Sequence, residues 1–185
     1  LVTGLIRGAF EYQGQKCSAA SRAYVPASLW PAVEKQLKTD LAAIKMGGTE
    51  DFENFVNAVI DAKAFAKITS YISEAKKSSE VTVVSGGNFD DSKGYFVEPT
   101  VLLTTNPTYR TMVEEIFGPV LVATTFRTPT EAVALANNTR YGLAATVWSE
   151  NVNLALSIAP KLAAGVVWVN ATNLFDAAAG FGGVR

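Results

Sequence analysis

The one cysteine of the chain, Cys17, lies in "GAFEYQGQKCSAASR" (residues 8–22), after Gly14-Gln15-Lys16 and before a run of small residues. A thiol in such a place either packs as a small apolar group or attacks an electrophilic carbon as thiolate. Attack requires a neighbouring cation, a helix end or oriented backbone amides to lower its pKa. Lys16 offers positive charge next door, a weak influence because adjacent loop side chains often diverge. Composition alone favours the packed thiol. It also removes several chemistries, because the chain has no histidine. A Cys-His hydrolase pair is excluded within the chain, and one cysteine without imidazole makes a poor zinc or iron–sulfur ligand set.

The elements that must carry Cys17 are legible from periodicity. Apolar residues at Val2, Leu5, Ile6, Ala9 and Phe10 predict a helix ending near Gly14, so Cys17 should sit just beyond it in a glycine-punctuated loop. "ASRAYVP" (20–26) reads as a strand. "SLWPAVEKQLKTDLAAIKMGG" reads as an amphipathic helix capped by Ser28, with Val33, Leu37, Leu41 and Ile44 on one stripe, closed by Gly47-Gly48. Ile60 to Lys77 repeats the helical pattern through Phe65, Ile68, Ile72 and Ala75, and "VTVV" (81–84) then alternates into a strand before Gly86-Gly87. "VLL" and "GPVLVATTF" are further strands. Thr128-Pro129-Thr130-Glu131 is a strong helix start, with a cap, proline at the first helical position and glutamate three residues after the cap, and the helix should reach about Asn138. A strand "AATVW", a helix from about Val152 to Leu162 and an apolar strand "GVVWVN" (165–170) complete the reading. Strands alternating with helices predict an α/β fold with an open, mostly parallel and largely buried sheet flanked by helices, in one domain over residues 1–185.

At 185 residues and 49% hydrophobic content the chain can bury a substantial core. Sixteen Lys and Arg against seventeen Asp and Glu leave a formal charge of −1 without a run of like charges, which speaks against a nucleic-acid groove or an anionic membrane surface as partner. No stretch approaches the ~20 unbroken apolar residues that span a bilayer, and no leader opens the chain. Neither G-x-G-x-x-G nor G-x-x-x-x-G-K-[ST] occurs, so no complete dinucleotide-binding unit is visible. The chain starts on Leu1 and ends on Arg185 after a glycine pair, and is expected to be part of a longer sequence.

Read together, the letters around Cys17 change the balance. "FEYQGQKCSAASRAYVP" resembles the active-site cysteine signature of the aldehyde dehydrogenase superfamily, with a glutamine two residues before the cysteine and an arginine a few residues after. "GYFVEPTVL" (94–102) and "EEIFGPVL" (114–121) resemble two further blocks of that superfamily in the expected order. "YGLAATVW", "AGVVWVN" and "GFGGVR" extend the resemblance over nearly the whole chain. Residues 1 to about 120, through "SLWP", "IKMG", "NAVIDAKAF" and "GGNFDDSKGYFVEPT", are most similar to the glutamate semialdehyde (1-pyrroline-5-carboxylate) dehydrogenase branch. "NATNLFDAAAGFGG" resembles general bacterial aldehyde dehydrogenases instead, and Gly180 replaces the usual proline.

The resemblance implies a catalytic-domain fold and assigns roles. Cys17 would attack the aldehyde carbon, forming a thiohemiacetal and then a thioester, with its own backbone N–H as half of the oxyanion hole. Ser18 would help hold the substrate carboxylate, and Phe181 would stand near the substrate entrance. Glu115 would accept from the nicotinamide ribose hydroxyls, and Phe117 would pack beside the nicotinamide. The implied cofactor is NAD, with NADP not excluded, and the implied substrate is a small aldehyde, foremost glutamate semialdehyde on the way from proline to glutamate. A broad-specificity aldehyde or aminoaldehyde dehydrogenase is the alternative, and a non-catalytic folded module is the alternative of another class. The family's general base, its oxyanion asparagine, its cofactor domain and its pairing arm all fall outside these residues. The isolated chain is therefore expected to be inactive, and the full-length protein to be a homo-oligomer in the cytoplasm, or in the mitochondrial matrix of a eukaryote.

Overall fold

Alternating apolar residues on the two central strands decide the architecture. In the computed structural model, which describes residues 1–185, β5 (Thr100–Thr104) and β6 (Val120–Phe126) lie side by side and parallel, Thr100 opposite Val120 and Leu102 opposite Val122. On one face Val101, Leu121 and Ala123 join Val25, Phe10 and Leu37. On the other, Leu102, Val120 and Val122 join Ile68, Ile72 and Met112. Period two along a strand thus feeds two cores on opposite faces of one sheet. Each fully buried Leu or Ile side chain contributes about 1.5–3 kcal/mol by removal from water.

β1 (Arg22–Pro26) extends the sheet parallel to β6, and β2 (Val81–Ser85) closes the other edge antiparallel to β5, giving the order β1-β6-β5-β2. One layer holds α1 (Val2–Phe10) and α2 (Trp30–Ala42), the opposite layer α3 (Ala62–Lys77). β3 (Phe89–Asp90) and β4 (Phe96–Val97) form a small hairpin. The short α4 (Arg110–Val113) leads from β5 toward β6, and α5 (Pro129–Asn137) follows β6. β7 (Ala144–Val147) and β8 (Val166–Val169) pair with each other in parallel, joined through α6 (Val152–Ile158), and are not hydrogen-bonded to the four-stranded sheet. The mostly parallel α/β architecture expected from the sequence is present. No helix is long and apolar enough to cross a membrane.

Local differences from the sequence reading have physical causes. Ser28 caps nothing: the residue flanking α2 is Leu29, without a side-chain cap, because Ala27 to Leu29 turn on backbone bonds to Phe126 and Pro26. α2 ends at Ala42, ahead of Gly47-Gly48, because Lys45 and Gly47 pair with the 55–56 backbone instead of continuing the helix. α3 begins at Ala62 under an Asp61 cap whose carboxylate accepts from the Ala64 N–H at 2.7 Å. The Thr128 cap stands as read, its hydroxyl accepting from the Glu131 N–H at 3.2 Å. Apart from buried Val147, β7 and β8 are half-buried rather than interior, each being hydrogen-bonded only to the other.

Candidate active site

The backbone reverses hand just ahead of the thiol. Beyond α1, Tyr12, Gln13 and Gly14 take left-handed conformations, with φ of 53°, 58° and 64°. For the two non-glycine residues that is unfavourable by roughly 1–2 kcal/mol each, so neighbouring contacts must hold them. Gln13 supplies them: its Oε1 accepts from the Asn57 N–H at 3.2 Å while its Nε2 donates to the Ala58 carbonyl at 3.3 Å. Gln15 accepts from the Ile60 N–H at 3.1 Å. Gly14 is required for space as well as conformation, because a Cβ there would overlap the Gly118 carbonyl. Behind the thiol the Ala20 N–H donates to the Gly8 carbonyl at 2.9 Å, closing the loop back onto α1.

Held this way, Cys17 is exposed and is not a space-filler. The Lys16 ammonium is drawn off to Glu11, 3.4 Å away, and stands 5.4 Å from the centre of the Tyr12 ring. Glu11 is taken up in turn by Arg7 at 2.7 Å as well as by Lys16.

A second loop, residues 114–118, faces the first across a cleft of about 480 Å³ whose lining includes Cys17, Ser18, Glu115, Phe117, Trp168 and Thr172. α3 anchors this loop. The Lys67 ammonium donates to the Glu115 carbonyl at 2.7 Å, the Tyr71 hydroxyl donates to the Glu114 carboxylate at 2.5 Å, and Arg110 bonds Glu114 at 3.1 Å and Glu74 at 2.5 Å with its guanidinium 4.1 Å over the Tyr71 ring. The Tyr71 hydroxyl, and after it Arg110, hold Glu114 below the usual carboxylate range. Burial first, then Glu114, pushes Tyr71 up. Hydrogen bonds to Glu74 and Glu114 raise Arg110 further above its ordinary value. With Glu114 so committed, Glu115 remains exposed, and Phe117 adopts φ 60° and is 40% exposed.

Four of the five residues singled out from sequence, Cys17, Ser18, Glu115 and Phe117, therefore meet in one cleft. Phe181 does not line it. Its ring stacks at 6.4 Å on Trp168, which does, and meets Phe175 edge to face at 5.0 Å. Sequence reasoning missed Lys67, Tyr71 and Arg110, whose partners lie far off in the chain and leave no local signal. It also missed Asn173, which accepts from the Ser18 hydroxyl at 2.7 Å. No group of three or more His, Cys, Asp or Glu side chains is gathered where it could hold a metal ion.

The three-layer α/β fold with this cleft is that of a known class of enzymes. The chain belongs to the aldehyde dehydrogenase family, whose model it matches over residues 1–185. It is 42% identical over 193 residues to the mitochondrial delta-1-pyrroline-5-carboxylate dehydrogenase of Danio rerio, covering 100% of this chain and 35% of that protein. With the Dictyostelium discoideum protein of the same name the identity is 55% over 120 residues, 65% of this chain and 22% of the relative. The higher likeness thus holds over only part of the chain. Among solved structures, an NAD+ complex of an aldehyde dehydrogenase from Bacillus cereus superposes with a TM-score of 0.94 at 38% identity, covering 100% of this chain and 37% of that one. The chain spans about a third of the length of the relatives that it matches end to end.

Proposed function

We propose that this chain is the catalytic-domain section of an NAD-dependent aldehyde dehydrogenase in which Cys17 is the nucleophile and glutamate semialdehyde the substrate, oxidised to glutamate in proline catabolism. The observation that carries the reading is the exposed thiol on a clamped loop, sharing one cleft with Glu115 and Phe117.

The chemistry follows from the residues. As thiolate, Cys17 adds to the aldehyde carbon, and the carbonyl oxygen becomes an oxyanion that the Cys17 backbone N–H can bond. A donor fixed in the backbone needs no reorganisation when charge develops. Glu115 fits the ribose of the cofactor, because an exposed carboxylate offers acceptors to a pair of hydroxyls, and the exposed ring of Phe117 offers a flat apolar face beside the nicotinamide. When bound, NAD+ supplies the hydride acceptor that lets the thiohemiacetal collapse to a thioester. Hydrolysis of that thioester requires a base. Glu11, six residues before Cys17, is occupied by Arg7 and Lys16, so the base is assigned to the remainder of the full-length protein and the chain alone to inactivity. The full-length protein is proposed to be a homo-oligomer, working in the mitochondrial matrix if eukaryotic, since the Danio rerio and Dictyostelium discoideum relatives are named as mitochondrial, and otherwise in the cytoplasm.

Mass spectrometry of the full-length protein, quenched during turnover of glutamate semialdehyde with NAD+, tests the nucleophile directly. An acyl adduct on Cys17, absent in Cys17→Ala, is the expected result. Turnover by Cys17→Ala, or no adduct in an active enzyme, overturns the assignment. A second reading, a broad-specificity aldehyde or aminoaldehyde dehydrogenase, is favoured by the stretch "NATNLFDAAAGFGG" (170–183), which resembles general bacterial aldehyde dehydrogenases. Higher kcat/KM for propanal or an aminoaldehyde than for glutamate semialdehyde would select it.

A further inference from the structure

Three aromatic rings line a second cavity, of about 430 Å³, that shares no residue with the cleft of Cys17. Phe65 meets Phe89 edge to face, with centroids 5.9 Å apart and planes at 84°, and meets Tyr95 at 5.8 Å and 43°. Phe89 is 40% and Tyr95 37% exposed, so ring surface is left open to solvent. Each ring stands on a fixed element. Phe65, on α3, packs against the buried cluster that contains Ile68 and Ile72. Phe89 pairs with fully buried Val97 across the β3–β4 hairpin, and the Tyr95 carbonyl accepts from the Val59 N–H at 2.9 Å.

The polar groups around the rings are acceptors. Thr69 and Ser70 line the cavity, and their hydroxyl protons are spent on the Ala66 and Lys67 carbonyls, at 3.3 and 2.7 Å, which leaves only lone pairs to offer. The Asp90 carboxylate is taken up by the N–H and hydroxyl of Ser92, both at 2.9 Å, whereas Asp91 lines the cavity and is exposed. No lysine or arginine is in the lining. Ring faces, hydroxyl lone pairs and a carboxylate all attract a cation and offer nothing to an anion. A planar head such as guanidinium or amidinium uses all three, because it stacks on a ring and aims its N–H groups, in its own plane, at oxygen. A quaternary ammonium would leave the oxygens without a donor.

We propose that Phe65, Phe89, Tyr95 and Asp91 form a binding site for a small planar organic cation, a guanidinium or amidinium compound. The cavity volume lies in the range of small-molecule sites, roughly 300–1,000 Å³. The site is independent of the Cys17 chemistry, and its occupant is a ligand of the full-length protein besides the aldehyde and the cofactor.

The test titrates the full-length protein with benzamidinium and with benzamide, its neutral isostere, by saturation-transfer NMR at constant ionic strength. We expect saturable binding of benzamidinium and at least about fivefold weaker binding of benzamide. Asp91→Asn and Phe89→Ala should each weaken benzamidinium about three- to thirtyfold. Both side chains are exposed, so kcat/KM for glutamate semialdehyde should stay within about twofold in either variant. Comparing the two probes needs no variant and so stands even where a substitution harms folding. Equal binding of the two probes would show an apolar cup that does not read charge. Affinity for benzamidinium untouched by both substitutions would put the probe on another part of the protein. Either result, or the absence of saturable binding, overturns the proposal, and none of them bears on the Cys17 assignment.

Discussion

Gly14 and Gly118 meet backbone to backbone, so closely that a single Cβ on Gly14 would overlap the Gly118 carbonyl. Through this contact the loop that carries Cys17 and the loop that carries Glu115 and Phe117 fix each other's position. Alanine at position 14 must adopt φ near 64° and also push back a carbonyl that belongs to the main chain, which cannot swing aside as a flexible side chain can. We predict that Gly14→Ala destabilises the protein by at least about 2 kcal/mol, the left-handed conformation and the overlap adding together. Urea unfolding of the two proteins measures it, and a change under about 0.5 kcal/mol would show that the loops relax freely.

Lys67 ties α3 to the Glu115 carbonyl at 2.7 Å. Its own charge is exposed, so its contribution to overall stability should be small. Its effect should appear in the ordering of Glu115. In the full-length enzyme, Lys67→Met is expected to raise the dissociation constant for NAD+ about three- to tenfold, the range of one lost hydrogen bond. Cys17 should react with iodoacetamide at the wild-type rate in the absence of cofactor. Slowed labelling together with unchanged NAD+ affinity would assign Lys67 to the wrong loop.

Much of this frame is legible in the sequence where one local rule suffices. Ile68, Ile72 and Ala75 recur at helical spacing and are all fully buried on α3, and Thr128-Pro129-x-Glu131 starts α5 where it should. The misreadings arise where a distant partner intervenes. Ser28 has the right chemistry for a cap, but backbone bonds to Phe126 and Pro26 place the first turn of α2 one residue later. The apolar run of β8 looks interior, yet its burial depends on neighbours that no local period encodes. At the site, Cys17, Glu115 and Phe117 stand out because they lie in short motifs. Asn173 does not, because what ties it to the site is a hydrogen bond from Ser18 across 155 residues of chain.

Gln13 answers for the left-handed turn in front of Cys17. Its amide satisfies one donor and one acceptor of the segment 57–58, at 3.2 and 3.3 Å. Gln13→Ala leaves the Asn57 N–H and the Ala58 carbonyl without that partner, and we predict a loss of about 1–3 kcal/mol. Gln13→Glu keeps the acceptor for Asn57 but sets an anion against the Ala58 carbonyl, so it should recover less than half of the loss. Full recovery by glutamate would mean that shape alone matters, and thermal unfolding of the three proteins separates the cases.

The carboxylate of Glu114 gives the site a dependence on acid. The Tyr71 hydroxyl, chiefly, and the Arg110 guanidinium stabilise its ionised form and hold its pKa below the ordinary carboxylate value. A carboxyl whose pKa is lower in the folded than in the unfolded chain contributes stability above the unfolded value. That contribution is lost as the pH falls through the folded one. Wild type should therefore be more stable than Glu114→Gln at neutral pH, and the gap should close on acidification through the carboxylate range, centred near about pH 4 for an unperturbed glutamate. The glutamine variant retains a side-chain acceptor for Tyr71 but no charge for Arg110, so the part that varies with pH reports the ionised pair and the part that remains reports packing. Urea midpoints for both proteins, taken from neutral pH down to about pH 3, follow the gap through the window in which an exposed glutamate titrates. A gap that stays constant, or widens in acid, would mean that Tyr71 and Arg110 hold the loop without help from the Glu114 charge.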